Sequence, residues 1–423
     1  MLLKISSPAE TVAFEPQPAP FASPRGIGPW LMKRVLRCLD SGGITVVIPS
    51  GERFEHRAAK SGPEATMVLH DWRAVRRLLV AGDLGFAEGY IAGEWSTPDL
   101  VALIALVAEN VSQFQRTMDG IPAMRLLNRA RHLLKGNSRK GSRRNIAFHY
   151  DLGNDFYRLW LDESMTYSSA CAVKSGESLE AAQQAKLARI TDLLALDGHE
   201  NVLEIGCGWG ALAAHLGARC AGVTGLTLSR EQLAFAEKRI TRSGLEQRVD
   251  LRLQDYRDTQ GTFDRIVSIE MLEAVGEQYW PVYFNRLRTC LAPGGKAVLQ
   301  VITIREDRFE PYRRAPDFIQ RYVFPGGMLP TQRIVSKQAT HAGFRIASVE
   351  TFGAGYASTL AEWRQRFEAA WPAIAALGFD ADFRRMWTYY LSYCEAGFRT
   401  GTIDVGLYVL EDCGSAPRTA SRL

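Results

Sequence analysis

Along the second half of the chain, short apolar runs alternate with amphipathic stretches. "NVLEIG" reads as a strand, "ALAAHLGARC" as a helix, "AGVTGLTL" as a strand and "SREQLAFAEKRI" as a helix. "VDLRLQ" and "FDRIVSIEM" follow as strands, "VYFNRLRTCL" as a helix and "GKAVLQVITI" as a strand. This order predicts a parallel sheet covered by helices on both faces. Upstream, residues 26–118 mix short strands and helices and end in the apolar "LVALIALVAENVSQF". The Pro- and Ala-rich residues 1–25 read as a flexible segment, and "GNSRKGSRR" (136–144) as a hinge. The expected organisation is a flexible segment 1–25, an N-terminal domain 26–135, a basic linker 136–148, a main domain 149–412 and a tail 413–423. There is no internal repeat.

Composition narrows the class. The chain has 423 residues, 46% hydrophobic and 23% charged, which suits a soluble globular protein of two or three domains. Val101–Ala108, uncharged and apolar, is too short to span a bilayer. Met1–Glu10 lacks the apolar core of a signal peptide. The seven cysteines are odd in number and scattered, with no CxxC pair or His cluster, so a reducing cytoplasm and no metal are expected. The net charge of +5 is unevenly placed. From Gly120 to Tyr150 there is no acid, while Arg125, Arg129, Arg131, Lys135, Arg139, Lys140, Arg143 and Arg144 all lie there. Leu126, Leu127, Leu133 and Leu134 interleave with them. Such a stretch is either a solvated linker or an amphipathic surface for anionic lipid. No nucleic-acid motif accompanies it, and nucleic acid is not an expected partner.

The chemistry concentrates at strand ends. In "VLEIGCGWG" (202–210) the first strand turns into a helix through Gly206, Gly208 and Gly210. In a doubly wound sheet this turn lies where ligands bind, and glycine lets a ligand approach the backbone. A nucleotide is the usual guest. Gly206, Gly208 and Ala211 also satisfy the dinucleotide pattern, which wants an acid at the tip of the second strand. That tip reads "GLTLSREQ", with Thr227, Ser229 and Gln232 and no acid. Ser229 and Gln232 have the spacing of a helix-capping box. In "LQDYRD", Asp255 and Tyr256 either meet an adenine by hydrogen bond and stacking or form a simple turn.

Taken together, "EGYIAGEW" (88–95), "HYDLGNDFYRLWLDESMTYSSA" (149–170), "VLEIGCGWG", "GLTLSREQ", "LQDYRD", "DRIVSIEMLEAVG" and "MWTYYLSYCEAGFRTG" resemble the cyclopropane-fatty-acyl-phospholipid synthase family. These are S-adenosylmethionine-dependent methyltransferases, and the resemblance runs from about residue 80 to 412. It implies a doubly wound, Rossmann-like methyltransferase sheet with a smaller mixed α+β N-terminal domain. It further implies methyl transfer from the sulfonium to a cis double bond of a phospholipid acyl chain, then loss of a methyl proton from the carbocation and ring closure. By this resemblance Tyr167 and Ser168 join the residues around the cofactor. The protein would work peripherally on the inner, anionic face of a membrane; a homodimer stays open.

An alkene is a weak, neutral nucleophile, so the site needs a dry cavity that aligns it, aromatic faces for the cation, and a base only afterwards. Residues 305–325 offer Phe309, Tyr312, Phe318, Tyr322 and Phe324; residues 363–398 offer Trp363, Phe367, Trp371, Trp387, Tyr389, Tyr390, Tyr393 and Phe398. "QRYVFPGGMLPT" stands where a lid over the acyl chain would sit. In the family the base is a bound bicarbonate. Its site maps onto Glu273, Ile302 and Tyr356, with Ser169 in place of a Cys and Gln300 in place of a His. Both replacements can hydrogen-bond an anion, but neither keeps the acid–base character. Cys171 does not restore the pattern. Methyl transfer is therefore better supported than ring closure, and a methyl-branched or methylene product stays open. Glu273 alternatively caps the next helix, Glu270 meets the cofactor or holds the loop, and His149 and Asp151 form a gate or a turn. Two rival functions remain beside the lipid methyltransferase. One is a nicotinamide oxidoreductase, opposed by the missing ribose acid. The other is a non-catalytic lipid binder, motivated by Ser169 and Gln300.

Overall fold

The computed structural model describes Leu36 and residues 39–119, 152–171 and 176–413. The expectations placed on residues 1–25, on the basic stretch 120–150, on His149 and Asp151 and on the end of the tail lie outside the described residues.

The N-terminal unit is built on four strands: β1 (Ser41–Val47), β2 (Arg53–Arg57), β3 (Lys60–Leu69) and β4 (Trp95–Ser96), in the order β2-β1-β3-β4. β1 pairs antiparallel with β2 and parallel with β3. Two helices cover it, α1 (Arg73–Ile91) and α2 (Leu100–Asp119). α1 kinks at Gly82, whose φ of 61° and ψ of −134° break the helical ladder. This is the mixed α+β unit expected.

The main unit opens with α3 (Asn154–Arg158) and α4 (Leu179–Leu194). Then come β5 (Asn201–Ile205), α5 (Ala211–Gly217), β6 (Gly222–Thr227), α6 (Arg230–Arg242), β7 (Val249–Leu253) and β8 (Phe263–Ile269). α7 (Leu272–Val275), α8 (Trp280–Cys290) and β9 (Leu291–Ile304) complete the alternation. The sheet order is β10-β11-β9-β8-β5-β6-β7, with β10 spanning Phe344–Thr351 and β11 Ile403–Asp412. β5 to β9 pair in parallel, as the alternation predicted. β11 runs antiparallel between β9 and β10. β9 reads as a continuous buried run, Ala297–Val301, because both faces are covered. The strand order reverses at β5, so its carboxyl end and that of β8 open onto the crevice where such sheets bind ligands.

A helical cover closes this end. It comprises α9 (Glu306–Arg314), a short π-helix (Ile319–Val323), α10 (Gln332–His341), α11 (Gly353–Ala369), α12 (Trp371–Ala376) and α13 (Ala381–Arg399). α13 packs against α11 and against α1 and α2 of the N-terminal unit. One apolar cluster runs from Val46 and Leu103 in the N-terminal unit to Trp363 and Trp387 in the cover. Tyr322 of the π-helix donates to Glu88 of α1 at 2.9 Å, so the N-terminal unit buttresses the cover directly. No helix among the described residues is long and apolar enough to cross a membrane.

Candidate active site

The three glycines after β5 do different work. All have positive φ: 89° at Gly206, 51° at Gly208 and 79° at Gly210. A Cβ at Gly210 would lie 2.8 Å from the Ala236 Cβ, so Gly210 brings α5 against α6. A Cβ at Gly206 would press on the Met271 side chain at 3.3 Å. At Gly208 it would meet nothing within 4 Å. Gly208 is therefore where the backbone is open to a guest. At the tip of β6, Ser229 Oγ accepts from the Gln232 N–H at 3.3 Å, one half of the expected capping box, while the Ser229 N–H goes to Thr227 Oγ1 at 3.2 Å rather than to Gln232. Thr227 Oγ1 donates to Gln232 Oε1 at 3.0 Å. Past β7, Asp255 is buried and its carboxylate is gripped by Arg257 through Nε at 2.9 Å and Nη2 at 2.5 Å. The Tyr256 ring is buried edge-on to Tyr283, with centroids 5.6 Å apart. Both residues line the correct end of the sheet but are held by protein partners.

The acid cluster sits after β8. Glu270 is half-buried and has φ +50°, in the left-handed region that a non-glycine residue enters at a cost of about 1–2 kcal/mol. Its N–H donates to the Gln300 carbonyl at 2.8 Å, which fixes the turn. Its carboxylate then collects three donors. Oε1 accepts from the Ser169 N–H at 2.9 Å and from Gln300 Nε2 at 2.7 Å. Oε2 accepts from the Tyr356 hydroxyl at 2.8 Å. So Ser169, Gln300 and Tyr356, expected to surround an anion with Glu273, surround the Glu270 carboxylate. Glu273 stands one turn behind, accepting the Ile302 N–H through Oε1, while its buried Oε2 has no hydrogen-bond partner among the described residues. Burial, reinforced by the charge of Glu270, pushes the Glu273 carboxyl up to about 8, so it is neutral at neutral pH. Burial also raises Glu270, but the Ser169 N–H, the Lys186 charge, Tyr356 and Gln300 pull it back toward the ionised form.

The segment that carries Ser169 is held from the other side by α4. Lys186 Nζ donates to Ser168 Oγ at 2.7 Å, and Gln183 Nε2 donates to the Ser168 carbonyl at 2.9 Å. Sequence reasoning missed these two residues. The signal was present: Leu179, Ala182, Gln183, Lys186, Leu187, Ile190 and Leu194 form one helical stripe, and all are buried. Two polar residues on a core-facing stripe demand partners.

Aromatic rings wall the cluster. Tyr356 lies 4.5 Å from Phe398 and 6.1 Å from Trp363. Tyr167 packs at 5.4 Å on Trp363 and 5.6 Å on Trp160, and its hydroxyl meets that of Tyr390 at 2.8 Å. The indole N–H groups of Trp160 and Trp363 find no acceptor among the described residues, as expected of an apolar wall. The expected lid segment folds over α7: Met328 N–H donates to the Glu273 carbonyl at 2.8 Å, and Gln320 Nε2 to the Gly327 carbonyl at 2.8 Å. An open cleft of about 380 Å³ lined by Asn201, Gly222 and Val249 lies at the amino ends of the strands, the opposite edge from this chemistry.

The mycolic acid cyclopropane synthetase family model matches residues 137–407. The chain belongs to this family. It is 40% identical over 354 residues to the tuberculostearic acid methyltransferase UfaA1 of Mycobacterium tuberculosis, covering 79% of this chain and 80% of that protein. It is 37% identical over 332 residues to the cyclopropane-fatty-acyl-phospholipid synthase of Escherichia coli, covering 78% and 83%. Among solved structures, the cyclopropane synthase MmaA2 of M. tuberculosis superposes with a TM-score of 0.60 at 30% identity, over 64% of this chain and 98% of that one. The mycolic acid cyclopropane synthase CmaA1, solved with S-adenosylhomocysteine and CTAB, gives 0.60 at 29%, over 66% and 99%. The protein is thus an S-adenosylmethionine-dependent methyltransferase of a family that modifies lipid double bonds. The open backbone at Gly208, just past the carboxyl end of β5, fits that cofactor.

Proposed function

We propose that the enzyme methylates a double-bond carbon in an unsaturated phospholipid acyl chain, that Glu270 removes the proton lost afterwards, and that the product carries a methyl or methylene branch. S-adenosylmethionine supplies an electrophilic methyl, whose uptake by the double bond leaves a carbocation on the acyl chain. Gly208 admits the cofactor, with Gly206, Tyr167, Ser168, Thr227, Ser229, Gln232, Asp255 and Tyr256 around it. The aromatic wall excludes water and stabilises the cation. Glu270 accepts one proton, so the lipid gains CH2 net. The single observation that carries the reading is the Glu270 carboxylate, set at a strained backbone position and held by Ser169, Gln300 and Tyr356. The site supplies its own carboxylate where the family resemblance places bicarbonate. Backbone strain of this kind persists where the surroundings enforce it, often at functional sites.

A branch rather than a ring is favoured by the likeness to a protein named as a methyltransferase. Ring closure is the second reading, favoured by the family model and the E. coli synthase. Incubation with methyl-labelled S-adenosylmethionine and oleoyl phosphatidylglycerol vesicles tests both. Label in the acyl chain with NMR signals of a branch supports the proposal; cyclopropane signals select the ring, and an unlabelled chain ends both. Docking on an anionic membrane face through Arg139, Lys140, Arg143 and Arg144 is part of the same proposal. Replacing all four by Ser should weaken vesicle co-sedimentation at low salt, since each surface cation contributes on the order of 1 kcal/mol. Equal sedimentation at low and high salt would remove that element.

A further inference from the structure

We propose that Lys186 is the buried counter-charge of Glu270, a positioning residue that keeps this carboxylate ionised and so able to act as a base. The inference rests on the reading of Glu270 just given. Lys186 is 1% exposed and forms no ion pair among the described residues, an arrangement unusual for a lysine. Its ammonium and the Glu270 carboxylate grip the same dipeptide from opposite sides. Lys186 Nζ donates to Ser168 Oγ at 2.7 Å, and the next residue's N–H, Ser169, donates to Glu270 Oε1 at 2.9 Å.

The other charged or titratable groups facing this pair are accounted for. Around Lys186 stand Cys171 and Asp162. The Cys171 thiol is pushed up by burial and stays neutral at neutral pH. The Asp162 carboxylate is committed to its own turn, accepting from the Ser164 N–H at 2.9 Å and the Thr166 N–H at 3.1 Å. Around Glu270 stand Glu273 on α7, Tyr356 on α11 and Cys394 on α13. Burial pushes all three up, and they are neutral at neutral pH. Lys186, lowered by burial to about 8, still carries its charge there. The Glu270 carboxylate is therefore the anion this cation supports.

The test compares pH–rate profiles of the full-length wild type, Lys186→Met and Lys186→Arg on oleoyl phosphatidylglycerol vesicles. In parallel, the infrared carboxyl band that vanishes in Glu270→Gln is titrated in each protein. Removing an opposite charge raises a carboxyl by about 1–3 units, so the acid limb should move up by that much in Lys186→Met and stay in place in Lys186→Arg. The loss below the limb should be about tenfold per unit and should disappear at high pH. The infrared band should move in step. Should Lys186→Met fail to fold, Lys186→Gln, which keeps a donor for Ser168 Oγ without the charge, makes the same comparison. A limb and band that stay put in the uncharged variant overturn the proposal, whatever the overall rate. The two readings separate cleanly. A band that moves while Glu270→Gln remains active keeps the charge coupling and removes Glu270 as base. An inactive Glu270→Gln with an unmoved band does the reverse.

Discussion

Two turns at the same edge of the sheet are built in opposite ways. The turn after β5 works by what it lacks: Gly208 leaves its backbone bare. The turn after β8 works by what it crowds together, two half-buried acids three residues apart. The first needs only local chain geometry. The second needs donors from Ser169, Gln300 and Tyr356, which are far apart in sequence and meet only in the folded protein. Within the second turn the acids divide again. Glu270 faces three donors and a buried ammonium; Glu273 faces one backbone N–H and the charge of Glu270. Neighbouring carboxyls whose surroundings differ in this way are suited to different roles.

The sharpest way to break this division is to neutralise each acid in turn. Glu270→Gln should lower turnover by about a hundredfold to ten-thousandfold, the usual worth of a positioned base, and leave cofactor affinity within a few-fold. Steady-state rates and calorimetry with S-adenosylmethionine would check both halves. Turnover near the wild-type value would abolish the distinction between the acids. For wild type, a base with a raised pKa predicts activity present above that value and lost as pH falls through it.

The other turn should fail in the other parameter. Gly208→Val puts a β-branched residue at a φ of +51° and a side chain into the open approach. The strain of about 1–3 kcal/mol falls on stability, while the side chain standing in the approach should lower cofactor affinity by about tenfold or more. Calorimetry that shows unchanged binding would mean that the guest approaches elsewhere.

Glu273→Gln should do least to the rate, a few-fold at most, because the wild-type carboxyl is already neutral and Gln keeps an acceptor for the Ile302 N–H. Its signature is in stability. The folded carboxyl, at about 8, stands above its ordinary value of 4.5, so the folded state holds the proton more tightly and wild-type stability declines as pH rises between them. Relative to wild type, the variant should thus gain stability across that window and level off above it. Thermal melts at several pH values would show this, and a difference independent of pH would contradict the assignment.

Much of this was legible in the chain. The β5–β9 alternation, the glycine turn and the Ser229–Gln232 cap are local patterns, and the structure has them where the residues place them. The antiparallel β11, slotted between β9 and β10, was not legible, because pairing partners more than fifty residues away decide its place. Glu270 was noticed but given to the cofactor or the loop. Its donors depend on tertiary contacts, and the anion pattern carried over from the family pointed to Glu273. Lys186 was hidden inside a regular amphipathic helix, where it and Gln183 on the buried face were the sign.

The central claim is that the protein's own carboxylate at residue 270 is the base. Glu270→Gly tests it most directly, since glycine suits the φ of +50° and removes the carboxylate without straining the turn. In carbon-dioxide-free buffer the variant should be inactive on oleoyl phosphatidylglycerol vesicles, and added formate or bicarbonate should restore turnover in a saturable way by occupying the vacated donors. The wild type should be indifferent to either anion. A variant that keeps the wild-type rate in that buffer, or a wild type that itself stops without bicarbonate, would contradict the account.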